Sequence, residues 1–83
     1  MNFIEFLKNR HLIIENARKL KDISAIQYNN RLESMMKKKI YNGEHQLSEQ
    51  IEEKINAIYA NKSNEYERTL KYYIEYKQYL EQQ

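Results

Sequence analysis

The residues best suited to catalysis or metal binding in this chain of 83 residues are two histidines, each followed four positions later by a glutamate. His11 precedes Glu15 and His45 precedes Glu49, a spacing that places both members of a pair on one face of a helix. Two ligands do not complete a metal centre, because zinc sites need three or four converging side chains. We therefore expect no metal and no cofactor.

The composition also argues against catalysis. The only glycine is Gly43, which excludes a glycine-rich phosphate loop, and no cysteine is present to act as a nucleophile or thiolate ligand. A chain of this length is expected to form one domain, residues 1–83, with little room for a substrate pocket. We expect a binding protein that is not an enzyme and takes no small-molecule substrate.

No targeting or membrane segment is evident in the sequence. The N-terminal residues carry an acid within their first apolar run and lack a small-residue cleavage site, so a signal peptide is not expected. No apolar run approaches the roughly 20 residues that span a bilayer. The sequence predicts a cytoplasmic protein without a membrane partner.

The charged residues are unevenly distributed along the chain. Residues 1–43 carry nine lysines and arginines against four acids, whereas residues 44–83 carry five against eight. This asymmetry suggests two surfaces with different partners, although solvated helix faces would show the same pattern. A basic N-terminal half favours DNA, with phosphate also reaching the free amides at the start of a helix. The candidate DNA contacts are Arg18, Lys19, Lys21, Ser24, Arg31, Lys37, Lys38 and Lys39.

The elements that must position these residues are predicted to be helices, because both helix-breaking residue types are nearly absent. We predict an all-α bundle of about four short helices, roughly 2–20, 25–41, 44–60 and 65–82. Helices one and two are either separate or fused through Lys21-Asp22. The predicted capping boxes pair Asn2 with Glu5, Ser24 with Gln27 and Asn64 with Glu67; Ile23 and Tyr28 form a hydrophobic staple, and Asn42-Gly43 ends the second helix.

The last helix carries two apolar stripes. One stripe suffices for packing on the core, and the second consists of tyrosines at i, i+4 and i+7. A single helix in so small a domain is not expected to bury both faces. The second stripe is either the rim of a broad core or a surface for a protein partner. We favour the partner surface, formed by Tyr72, Tyr76 and Tyr79.

Three short motifs occur in an order typical of a known domain. They are Phe3-Ile4-Glu5-Phe6-Leu7, then Ser24, Tyr28 and Leu32, then Arg68, Leu70, Lys71, Tyr72 and Tyr73. In this order the motifs resemble the N-terminal core-binding (SAM-like) domain of tyrosine recombinases, or phage integrases. That domain is a small helical bundle that clamps duplex DNA. The recombinase catalytic domain has no counterpart here, so the resemblance implies a free-standing DNA-binding module.

Two functional hypotheses follow. The first is a small DNA-binding accessory subunit that is tethered to a larger DNA-processing protein, such as a recombinase or replication polymerase of a phage or mobile element. It would bind single- or double-stranded DNA without sequence preference, and few cations imply a modest affinity that a tether must supplement. The alternative is a protein-interaction module, an adaptor, inhibitor or self-associating bundle, that binds no nucleic acid.

Overall fold

The computed structural model describes all 83 residues, which form four α-helices and one short 3-10 turn. The elements in chain order are α1 (Phe3–Ile13), α2 (Asp22–Lys37), α3 (Glu49–Ile58), the 3-10 turn (Ala60–Lys62) and α4 (Ser63–Glu81). No strand is present, so the predicted all-α class is confirmed. Every helix is too short or too polar to cross a lipid bilayer.

The central helix of the bundle is α4, which packs on each of the other three helices. Around it lies one core of 13 buried residues. From α1, Phe6 and Leu7 are fully buried, and from α2, Met35 is fully buried. Each such side chain contributes about 2 kcal/mol when it leaves water. A helix with neighbours on three sides can bury more than one stripe of side chains, and this determines which tyrosines of α4 are buried.

Helix α1 begins as predicted and ends early. The Oδ1 atom of Asn2 accepts a hydrogen bond from the Glu5 amide at 2.9 Å, so Asn2 is confirmed as the cap, although the reciprocal bond to the Glu5 carboxylate that would complete the box is not formed. The helix stops at Ile13 because Ile14 is extended and Asn16 is left-handed, with a φ of 66° that asparagine tolerates better than most residues. The predicted range 2–20 is therefore too long. Residues 14–21 form a linker, and α1 and α2 are separate helices.

Helix α2 begins earlier than predicted. It starts at Asp22, so Ser24 is its third residue and the predicted capping box of Ser24 with Gln27 is wrong. The predicted staple is also wrong, since Ile23 is 57% exposed whereas Tyr28 is buried. An acid at the first helical position interacts favourably with the positive end of the helix dipole, which helps the helix to extend ahead of Ser24.

Helix α2 also ends before its predicted limit, at Lys37. Lys39 is left-handed, with a φ of 59°, and the amide of Ile40 donates to the carbonyl of Met35 at 2.9 Å. This bond closes a Schellman-type turn. Ile40 and Tyr41, which follow this turn, are both buried. The turn therefore ends the helix and directs these two side chains into the core.

Helix α3 is five residues shorter at its start than predicted. Ser48 caps it, its Oγ accepting from the Ile51 amide at 3.3 Å, and the helix begins at Glu49. Gly43 is left-handed, with a φ of 93°, but it lies inside the loop and does not end α2. The Nζ of Lys77 donates to the Gly43 carbonyl at 2.7 Å and so ties this loop to α4.

Helix α4 follows directly from the 3-10 turn. The amide of Lys62 donates to the carbonyl of Tyr59 at 2.8 Å, and the helix begins at Ser63. The predicted cap at Asn64 with Glu67 is therefore wrong, because Asn64 already lies within the helix and no side chain caps its start.

The two serines give a direct test of the helix starts. Ser48→Ala removes a cap and is expected to lower the free energy of unfolding by about 1 kcal/mol. Ser24→Ala is the matched control and is expected to change stability by less than about 0.5 kcal/mol, since alanine suits a helical position. Urea unfolding followed by circular dichroism measures both. A larger loss for Ser24→Ala would contradict the observed start of α2.

Candidate nucleic-acid interface

Tyr59 lies where α2, α3 and α4 meet. It directly follows the last residue of α3, and its hydroxyl is 2.6 Å from the Oγ of Ser34 in α2. Its ring stacks on the ring of Tyr66 in α4, with centroids 3.6 Å apart and planes 11° from parallel. Because both its hydroxyl and one of its faces are held, the Tyr59 ring has a fixed position at the surface.

One lysine lies over this ring, and a second lines the cavity beside it. The Nζ of Lys38 lies 4.8 Å from the centre of the Tyr59 ring, and Lys62 lines a shallow surface cavity of about 360 Å³ together with Tyr59. Both lysines are exposed. We refer to Ser34, Lys38, Tyr59, Lys62 and Tyr66 as the Tyr59 corner. Flat aromatic surface interleaved with cations is the composition of nucleic-acid binding surfaces.

Two arginines, one on α2 and one on α4, lie where these helices pack together and add positive charge beyond the corner. Arg31 pairs with Glu65, with Nη2 and Oε2 3.5 Å apart, and its guanidinium lies 5.4 Å from the centre of the Tyr28 ring. The pKa of Arg68 is raised above its ordinary value, first because its guanidinium interacts with the Tyr28 hydroxyl. Arg31 thus has structural contacts of its own, which makes it a poor residue for an isolated test of DNA binding.

The structure does not gather the predicted DNA contacts into one patch. Lys37, Lys38 and Lys39 are exposed at the C-terminal end of α2, whereas Arg18, Lys19 and Lys21 are exposed in the linker that precedes its N-terminal end. Sixteen helical residues at 1.5 Å each separate these groups by about 24 Å. Ser24 lies in the first turn of α2, close to the linker cations. Of all the predicted DNA contacts, only Lys38 belongs to the Tyr59 corner.

Sequence reasoning missed four of the five residues in the corner, Ser34, Tyr59, Lys62 and Tyr66. Part of the signal was available, since two tyrosines seven positions apart flank a lysine in a polar turn. The proximity of these two tyrosines to Lys38 could not be read from the sequence, because it depends on how α2 packs on α4. The corner also takes its tyrosines from the acidic half of the chain, where no nucleic-acid contact was expected.

Tyr76, the middle residue of the predicted partner stripe, belongs to the core. Its side chain is 8% exposed, packs on the rings of Phe3 and Phe6, and donates a hydrogen bond from its hydroxyl to the Met1 carbonyl at 2.8 Å. Burial raises its pKa. The expectation that α4 could not bury its second stripe is wrong for this residue, because α1 covers that side.

The other two tyrosines of the stripe are half-buried. The ring of Tyr72 meets Tyr28 edge-on, with centroids 5.1 Å apart, and the guanidinium of Arg10 lies 4.7 Å from its centre. Arg10 also donates two hydrogen bonds to Glu75, the shorter at 2.6 Å, and this interaction raises the pKa of Arg10. The ring of Tyr79 packs on Phe6, with centroids 5.6 Å apart, and also borders a surface groove, so it is the member of the stripe best placed to meet another protein.

That groove lies between the C-terminal ends of α1 and α4. Its volume is about 300 Å³, and Ile13, Ile14 and Tyr79 supply its apolar lining. Glu75, Gln78 and Gln82 supply the polar lining. Next to Ile13 in the chain, Leu12 is 75% exposed, the most exposed large apolar side chain of the protein. This end of the molecule therefore presents apolar surface, which suits a protein partner better than DNA.

Neither histidine pair has the arrangement expected of it. His11 lies within α1 but Glu15 lies beyond the end of that helix, and Glu49 begins α3 while His45 lies in the preceding loop. No group of three or more histidine, cysteine, aspartate or glutamate side chains is placed to hold a metal ion.

Comparisons with protein-family profiles, with curated protein sequences and with solved structures give no match for this chain.

Proposed function

We propose that this protein is a small DNA-binding subunit that acts alongside a larger DNA-processing protein, and that the Tyr59 corner is its DNA contact. The observation that supports this proposal is that Lys38 lies over the ring of a fixed tyrosine, while Lys62 and the same tyrosine line the adjoining cavity. Exposed ammonium groups neutralise phosphates, and an aromatic ring offers its surface to a base.

The limited number of cations sets the expected strength of binding. Lys37 and Lys39 lie beside Lys38 in the chain, so about four phosphate contacts are available to a strand that crosses the corner. Binding of this kind falls steeply with salt, by about 0.7 to 0.9 log units per contact for each tenfold rise in concentration. A modest affinity becomes useful when a partner holds the protein close to DNA.

A salt-dependent titration tests the proposal. Fluorescence anisotropy of labelled DNA, between about 20 and about 200 mM salt, is expected to show binding that weakens log-linearly. The double variant Lys38→Ala/Lys62→Ala is expected to bind about tenfold more weakly and to have a salt slope smaller by about 1.5. The matched control Lys19→Ala/Lys21→Ala removes the same charge at the far end of α2 and is expected to lose less than about threefold.

Two outcomes of that titration would contradict the proposal. Equal losses for the two double variants would show that charge alone, and not the Tyr59 corner, determines binding. If no DNA binds at the lowest salt, the alternative function as a protein-interaction module is favoured. The observation that supports this alternative is the groove lined by Ile13, Ile14 and Tyr79. In the main proposal the same groove is where the larger protein attaches.

A further inference from the structure

We infer that the Tyr59 corner binds an unpaired base of single-stranded DNA, which stacks on the Tyr59 ring while Lys38 and Lys62 contact phosphates on either side. This inference rests on the proposed function and names its substrate. In a duplex each base is already stacked between its neighbours, so a protein ring has no base face to meet. A ring held at the surface is therefore of most use to a strand whose bases are free.

The position of Lys38 shows how a base reaches the ring. Tyr66 covers one face of Tyr59, and the Lys38 ammonium lies over the same ring, 4.8 Å from its centre. An exposed cation–π contact is worth about 2- to 5-fold in an equilibrium, whereas stacking of one base is worth roughly 5- to 150-fold. A base therefore displaces the ammonium. The Lys38 ammonium is carried on a flexible four-carbon side chain, so after displacement it can reach a neighbouring phosphate.

The surroundings of the ring fit a single nucleotide. The hydroxyl contact with Ser34 and the stack on Tyr66 hold the ring before any ligand arrives, which lowers the entropy lost on binding. The adjoining cavity of about 360 Å³ falls at the lower end of the range for small-ligand sites. Its lining includes the exposed apolar side chain of Ile58 and the amide of Asn61, which offers both a donor and an acceptor to a base edge.

A strand carrying one 2-aminopurine tests the inference, because the fluorescence of this base is quenched when it stacks. The probes are a strand of about 12 nucleotides, the same strand annealed to its complement, and a fully abasic strand of the same length, each with an end label so that anisotropy reports its binding. We expect quenching on binding, single-strand affinity at least tenfold above duplex affinity, and about tenfold weaker binding of the abasic strand. Tyr59→Leu is expected to lose the quenching, and Tyr59→Phe, which keeps the ring, to retain it.

The outcomes separate this inference from the proposed function. Duplex binding as tight as single-strand binding, or equal binding of the abasic strand, overturns the inference and leaves DNA binding intact. Absence of binding to every probe at low salt overturns both. The abasic comparison uses the unaltered protein, so the test holds even if Tyr59→Leu fails to fold.

Discussion

Tyr76→Ala is expected to destabilise the protein by about 3 kcal/mol, because it empties a site where α1 packs on α4. The side chain contacts Phe3 and Phe6 and is 8% exposed. A domain of this size has a total stability of about 4 to 12 kcal/mol, so the variant is expected to be partly or largely unfolded at ambient temperature. Urea unfolding followed by circular dichroism measures the loss.

Two control variants isolate the cause of this loss. Tyr76→Phe keeps the ring and removes only the hydrogen bond to the Met1 carbonyl, at an expected cost of about 1 kcal/mol. Lys71→Ala alters an exposed position of the same helix and is expected to change stability by less than about 0.5 kcal/mol. Full stability of Tyr76→Ala would show that this tyrosine is a surface residue, as the stripe pattern first indicated.

High pH is expected to destabilise the protein through Tyr41. Burial, followed by the neighbouring Tyr73 and Glu44, raises the pKa of Tyr41 to about 12 from 10.0. Its hydroxyl donates to the Glu44 carbonyl at 2.6 Å, so the folded state favours the neutral phenol. The resulting stabilisation is complete below pH 10 and is lost as the pH rises through about 12, an expected decrease on the order of 2 kcal/mol.

Comparison with Tyr41→Phe separates this effect from the titration of lysines and other tyrosines. The variant lacks the ionisable group and is expected to be about 1 kcal/mol less stable at pH 8, owing to the lost hydrogen bond. Its stability is expected to fall less steeply than that of the native protein between pH 10 and 12. Parallel curves for the two proteins would place the alkaline transition elsewhere.

Local signals in the sequence predicted the number of helices better than the residues at which each helix begins and ends. The cap at Asn2 is read from adjacent residues and was correct. The end of α2 was placed too late because Ile40 continues the helical spacing of apolar residues. Only the packed structure shows that Ile40 and Tyr41 enter the core after the chain has left the helix at the left-handed Lys39. Such a conflict between local pattern and tertiary packing leaves no trace in the sequence.

The candidate site was harder to predict than the fold. Charge counting found Lys38 but grouped it with the linker cations, which lie about 24 Å away along α2. The tyrosine stripe was recognised, but the covering of Tyr76 by α1 is a long-range contact. The stack of Tyr59 on Tyr66 depends on a 3-10 turn that the polar residues between them do not specify. Composition therefore indicated the kinds of residue that matter, and the packing of α2, α3 and α4 determined which of them meet.

The most direct test of the central claim, that the Tyr59 corner contacts DNA, is a two-dimensional amide NMR titration of isotope-labelled protein with single-stranded DNA at low salt. We predict that the largest shift changes fall on the corner, from residues 34–38 and 58–66, with little change at residues 18–24. Changes confined to residues 18–24 would place DNA at the opposite end of α2. If no amide shift changes at any residue, the protein does not bind DNA and the central claim is wrong.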